Sequence, residues 1–218
     1  VLSGNKKRLA ESLRFCKHNG WEFRSGALVD GKFHLNISKL QSTIDEIYLQ
    51  HDIILITALE GGHQDHDTTA LCAMISSHKY KNKTTLYYPN YCSAGSKQRL
   101  FDVCSSGKRG TAKLFYKPVK ELTLPINALG LMLNSYFYYR SQAITWTGLG
   151  CILMVKQIMK KRATLWKTKT KSDVNLSALI WQIDRSQILY EHHHRCMFAD
   201  WLTIATHHIS HTNTFECK

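Results

Sequence analysis

The chain has 218 residues, 44% hydrophobic and 21% charged, and its 29 Lys plus Arg against 16 Asp plus Glu give a formal net charge of +13. With 3 Pro and no Gly/Ser-rich or Pro-rich tract, it leaves no room for a linker-dominated protein, and a single compact domain over 1–218 is expected. The seven cysteines, at 16, 72, 92, 104, 151, 196 and 217, form no CxxC pair. That argues against a disulfide framework or a cysteine-built zinc site and favours a reducing, cytoplasmic compartment.

No apolar run reaches the ~18 to 20 residues of a membrane span. The best candidate, ITWTGLGCILMV, is too short and sits before Lys156, Lys160 and Lys161. The basic balance admits an anionic partner or peripheral contact with a membrane surface. Nucleic acid is not expected: the basic residues cluster only at MKKRATLWKTKTK, and no RNP, zinc-finger or basic-zipper pattern accompanies them. The first residue is Val, and VLSGNKKR reads as a strand end and loop, so an N-terminal part is expected to precede it.

In chain order, KKRLAESLRFCKHNGW spaces Leu9, Leu13 and Cys16 as one helical face and closes at Asn19-Gly20. WEFRSGALVDG reads as an extended segment ending in a turn at Asp30-Gly31. ISKLQSTIDEIYLQH places Leu40, Ile44, Ile47 and Tyr48 on one face of a second helix. DIILITAL is an Ile/Leu run of the kind that forms a central parallel strand covered on both faces. A polar loop and a third helix, TTALCAMISSHKY, follow it, so strand, loop and helix make a βα unit with the loop at the strand's carboxyl end, where open α/β sheets bind ligands. TTLYYP and KLFYKP predict further strands, and LPINALGLMLNSYFYYRSQ and TGLGCILMVKQIMKKR predict helices. The last fifty residues carry no clear pattern. The expected architecture is a Rossmann-like three-layer α/β fold with a mostly parallel sheet and a partly helical C-terminal portion.

The loop after the apolar run reads EGGHQDHD, residues 60–67. As plain structure, Gly61-Gly62 would make a tight turn, and Asp65 or Asp67 would cap the next helix. Capping leaves His63 and His66 unexplained. Two imidazoles at i and i+3 at a helix start face roughly the same side, and imidazole is a good zinc ligand. A carboxylate beside an imidazole fixes its tautomer and raises its basicity.

An HxHxDH metal motif of the metallo-β-lactamase kind fails here because its first histidine would fall at Gly61. EGGHQDHD instead closely resembles the GGHxDH signature of the PIG-L/LmbE family of zinc-dependent de-N-acetylases. Beyond the loop, RLAES at 8–12 resembles the family's RxxE helix start, and VDGKF resembles the turn that follows. YRSQ at 139–142 with TWTGL resembles its SQ-containing helical segment, and ILYEHHHRCMFADWL resembles a tail of bacterial members.

The resemblance implies that His66 ligates zinc, that His63 stabilises the tetrahedral intermediate or protonates the leaving amine, and that Asp65 orients His63. It implies more weakly that Arg8, Asp30 and Gln142 contact an N-acetylglucosamine-like sugar or glycoconjugate. The family's first motif, AHPDD, which supplies the other ligands and the general base, is absent from these residues. Those ligands and the first strand are therefore expected upstream of Val1, and the chain by itself is expected to be inactive. The alternative is a non-catalytic descendant whose basic surface binds an anionic partner.

His192-His193-His194 and His207, His208 and His211 read as surface histidines of a basic protein, because adjacent residues diverge and no acidic cluster completes a shell. Cys72 reads as a small buried side chain. The run SYFYY at 135–139 must split between core and surface, since neighbours on a helix point in different directions.

Overall fold

A computed structural model describes residues 6–89, 91–92, 102–103, 112–123, 126–142, 162–168, 176–183, 188 and 196–213. The elements are α1 (Lys6–His18), α2 (Ile37–Gln50), β1 (Ile53–Thr57), α3 (Gln64–Lys79), β2 (Thr84–Tyr88), β3 (Tyr91–Cys92), β4 (Asp102–Val103), α4 (Ala112–Phe115), β5 (Tyr116–Thr123), α5 (Ile126–Tyr138), β6 (Arg162–Thr168), α6 (Leu176–Ile180) and α7 (Phe198–Asn213). Single 3-10 turns lie at His34–Asn36 and Arg140–Gln142. Together they make a mixed α/β protein. The chain divides into two compact units, Val1–Asp30 with Glu121–Ala163, and Gly31–Lys120 with Thr164–Lys218.

In the smaller unit, α1 ends at the expected glycine cap, where the Trp21 N–H donates to Cys16 O at 2.8 Å. Its buried face is not the expected one. Glu11, Ser12 and Phe15 are buried while Leu13 is 52% exposed. The reason is what lies opposite. The Phe15 ring meets Trp21 and Tyr138 edge-on, each at 5.7 Å, and Tyr139 at 5.5 Å. An aromatic cluster of this kind buries more area than a leucine stripe.

Glu11 is tolerated inside because its carboxylate accepts the Ser141 N–H at 3.0 Å and the Ser141 hydroxyl. RLAES and YRSQ, 130 residues apart in sequence, are therefore joined through Glu11 and Ser141. Helix α5 and the turn after it fall within the predicted 124–142 helix. SYFYY divides as expected, with Tyr136 40% and Phe137 65% exposed while Tyr138 and Tyr139 pack on Phe15.

In the larger unit, α2 buries Leu40, Ile44 and Tyr48 as its spacing predicts. Helix α3 packs on α2, β1 and β2. Strands β1 and β2 are parallel, in register from Ile53 with Thr84 to Thr57 with Tyr88, so β1, α3 and β2 form a βαβ unit. The expectation of a mostly parallel sheet is not met in what is described. The strand order is β1-β2-β6-β5, and β2 meets β6 antiparallel at Tyr87 and Trp166. A separate antiparallel pair joins β3 to β4.

Nor is β1 a central strand covered on both faces. It ends the described sheet, with Ile53 68% and Leu55 58% exposed beside Ile54 at 5%. An apolar run states that a strand prefers burial, not how many layers cover it. In KLFYKP the first residues form α4 and extended structure starts at Tyr116. The predicted helix TGLGCILMVKQIMKKR lies outside the described residues, apart from Arg162, which opens β6.

Two of the largest buried side chains of this unit, Tyr48 and Trp201, pair their polar atoms across elements. Tyr48 Oη bonds Ala73 O at 3.0 Å and Thr85 Oγ1 at 2.7 Å, and burial pushes its phenol up to about 12. Trp201 Nε1 donates to Thr68 Oγ1 at 3.0 Å, fixing α7 to α3. Among the described residues no helix is long and apolar enough to cross a membrane.

Burial works against the Glu11 charge, but the Ser141 hydroxyl and N–H, with Lys7 and Arg14, hold its carboxyl below the usual value of 4.5. A lowered folded value means that this contribution is present above the unfolded pKa and is lost as pH falls through the folded one. Glu11→Gln is therefore expected to lower the melting temperature at neutral pH, with the gap to the native chain closing in acid. Thermal unfolding followed by circular dichroism across pH checks this.

Candidate active site in the histidine loop

Beyond β1, Ala58 and Leu59 are buried, and the Leu59 N–H donates to Tyr116 Oη at 2.9 Å. The chain then turns at Gly61, whose φ of +76° is a left-handed conformation that a side chain would strain. The Asp67 carboxylate holds this turn, with Oδ1 accepting the N–H of Glu60 at 3.0 Å and of Gly61 at 3.1 Å. Asp67 is 1% exposed, and burial pushes its carboxyl up to about 7 against the pull of those two N–H groups.

His63, not an aspartate, caps α3. It is extended (φ −149°, ψ 131°), and its Nδ1 accepts the Asp65 N–H at 3.2 Å. The plain structural alternative, a cap by Asp65 or Asp67, is not what forms, because both carboxylates are engaged elsewhere. Asp65 Oδ2 accepts the Gly31 N–H at 2.6 Å and Oδ1 the Phe33 N–H at 3.1 Å. Gln64 Nε2 adds a bond to Gly31 O at 3.2 Å. The turn predicted at Asp30-Gly31 is thus clamped by the start of α3, with Gly31 at φ +78°.

Of the three loop residues singled out from the sequence, His63 and His66 lie together, half-buried, with ring centroids 5.1 Å apart and planes at 37°. Because Nδ1 of His63 accepts a hydrogen bond, a neutral ring carries its proton on Nε2 and offers that N–H as a donor. The hydrogen bond between Asp65 and His63 runs through the Asp65 backbone N–H, while the carboxylate oxygens bond Gly31 and Phe33.

In the smaller unit, Arg8, Asp30 and Gln142 also come together. Arg8 Nη1 donates to Asp30 Oδ2 at 2.7 Å, and with the Gln142 amide turned so that its oxygen faces the guanidinium, Nε and Nη2 donate to that oxygen at 2.5 and 2.6 Å. The ion pair is partly exposed, a setting in which such pairs contribute ~0 to 1 kcal/mol.

Residues that sequence reasoning missed include Asp67 as the organiser of the turn and Tyr116 as the acceptor for Leu59. From the sequence Asp67 stands only as a candidate cap, with no sign that it would bond the backbone of Glu60 and Gly61. Nothing in the sequence ties Tyr116 to a loop 57 residues earlier. Cys72 is fully buried as expected, and burial raises its thiol well above the usual range.

Among the described residues no group of three or more His, Cys, Asp or Glu could hold a metal. A catalytic zinc usually takes three protein ligands, more than the two imidazoles that the loop brings together. The donors described here do not by themselves fit a catalytic zinc. No family model matches the chain, and neither does any curated protein or solved structure.

Two outcomes test this geometry. Asp65→Ala leaves the Gly31 and Phe33 N–H groups without their acceptor, at about 1 to 3 kcal/mol each, and urea unfolding is expected to show a loss of that order. Asp67 carries a raised folded pKa, so its contribution is full below the unfolded value of 3.8 and is lost as pH rises through about 7. Asp67→Asn keeps one acceptor oxygen and does not ionise. The stability of the native chain relative to this variant is expected to fall across that window and level off above it, as measured by denaturant titration at a series of pH values.

Proposed function

We propose that the chain carries the histidine part of a PIG-L/LmbE-type zinc-dependent N-deacetylase site, acting in the cytoplasm on an N-acetylglucosamine-like sugar or glycoconjugate. The observation that carries this reading is the state of His63. With Nδ1 accepting the Asp65 N–H, a neutral His63 carries its ring proton on Nε2, and the ring lies beside a second imidazole at the carboxyl end of a parallel strand. Amide hydrolysis needs such a donor. The carbonyl oxygen gathers negative charge as the tetrahedral intermediate forms, and the departing amine then needs a proton.

In this reading His63 Nε2–H bonds that oxygen and then delivers the proton, while Asp65 and Asp67 keep the loop backbone fixed so that the ring does not drift. His66 is the single zinc ligand assigned to these residues, and the remaining ligands belong to an AHPDD-type segment upstream of Val1. Arg8, Asp30 and Gln142 are assigned to sugar contacts on the resemblance alone. The β1-α3-β2 unit is then one repeat of a Rossmann-like three-layer fold with a further first strand.

The test is to express the reading frame extended upstream of Val1, measure its metal content and follow acetate release from N-acetylglucosamine conjugates. About one zinc per chain is expected, lost in His66→Ala. In His63→Ala the metal is expected to stay while kcat falls ~10² to 10³-fold, the scale for removing an oxyanion donor. An extended frame without an AHPDD-type motif, zinc or acetate release would sink the proposal and favour a basic-surface binding protein.

A further inference from the structure

We propose that His207 and His211 form a two-imidazole clip for a divalent transition metal ion of the Cu2+, Ni2+ or Zn2+ type, independent of the histidine loop. Helix α7 is anchored by Trp201, Ala205 and Ile209, each 1% exposed. At 3.6 residues per turn, positions 207 and 211 lie about 200° on from 205 and 209, on the opposite face, and both side chains are exposed. The i, i+4 spacing stacks the rings one above the other. Their centroids are 4.2 Å apart with planes at 65°, and the two Nε2 atoms are 2.9 Å apart.

That separation is what chelation needs. With metal–nitrogen bonds of ~2.0 to 2.1 Å, two cis ligands at a right angle hold their nitrogens ~2.9 Å apart, and two tetrahedral ligands ~3.3 Å apart. The observed 2.9 Å fits the square-planar or octahedral case directly, and a small ring rotation reaches the tetrahedral one. Without a metal, the same contact requires one ring to donate its N–H to the other.

The position on the helix also favours a cation. Helix α7 ends at Asn213, so the pair spans its last turns, where the macrodipole is negative. His208, between the two, is not part of the clip. It turns inward toward Gln41 Oε1 at 3.4 Å, and burial, with His207 and His211 beside it, holds its pKa below the usual value. With two protein donors, water completes the shell. The net charge of +13 opposes binding, so coordination to nitrogen and not charge attraction must supply the affinity.

The experiment is titration of the untagged 218-residue chain with CuCl2, NiCl2 and ZnCl2, read by calorimetry and by thermal unfolding. One ion per chain and a rise in melting temperature reversed by EDTA are expected. His207→Ala and His211→Ala should each weaken binding at least about tenfold, because a chelate becomes a single ligand. His208→Gln should leave binding unchanged. Full affinity in both alanine variants, as expected if His192–His194, outside the described residues, held the ion, would overturn the proposal. So would failure to bind any of the three ions.

Discussion

The larger unit is organised around one carboxylate. Asp65 accepts the N–H groups of Gly31 and Phe33, which lie 34 and 32 residues earlier in the chain, and so ties the entry to α2 to the first turn of α3. Burying a charge of this kind is costly unless its oxygens are hydrogen-bonded, and backbone donors held rigidly in a turn meet that need well. Two consequences follow locally. The turn beginning at Gly31 has a fixed shape, and Asp65 is not available to cap its own helix. His63 takes over that role, which decides which of its ring nitrogens carries the proton.

Asp67 repeats the device at shorter range. Its oxygen collects the N–H groups of Glu60 and Gly61, so a loop with two glycines is held by a side chain two turns of backbone away. The two carboxylates therefore act on the backbone first, and whatever chemistry the histidines perform rests on that scaffold. The smaller unit follows the same logic with different partners. Glu11 is buried against Ser141, while Arg8 is shared between Asp30 and Gln142. In each unit, a residue that sequence inspection would place at the surface is inside because a backbone or hydroxyl donor meets it there.

What was legible in the sequence is what depends on local spacing. The α2 face, the glycine cap after α1, the strand before the loop and the turn at Asp30-Gly31 all follow from periodicity and from glycine. What was not legible depends on partners far along the chain. Leu9, Leu13 and Cys16 make a reasonable helical stripe, but the aromatic rings of Trp21, Tyr138 and Tyr139 select Phe15 instead. The apolar content of DIILITAL cannot show that β1 ends the described sheet with Ile53 and Leu55 open. The pairing of His207 with His211 needed the helix at 198–213, which sequence pattern alone did not reveal. Of the candidate residues, His63 with His66, and Arg8 with Asp30 and Gln142, are gathered into two clusters, each within its own unit.

The bond from Leu59 to Tyr116 bears on the order in which the molecule is assembled. Its partners are 57 residues apart, and closing so long a stretch of chain has an entropic cost that local helix formation does not share. Helices α2 and α3 can form from near neighbours, whereas the Leu59 N–H stays without this acceptor until the segment at 112–123 has docked. The final geometry of the histidine loop is therefore a late acquisition during folding.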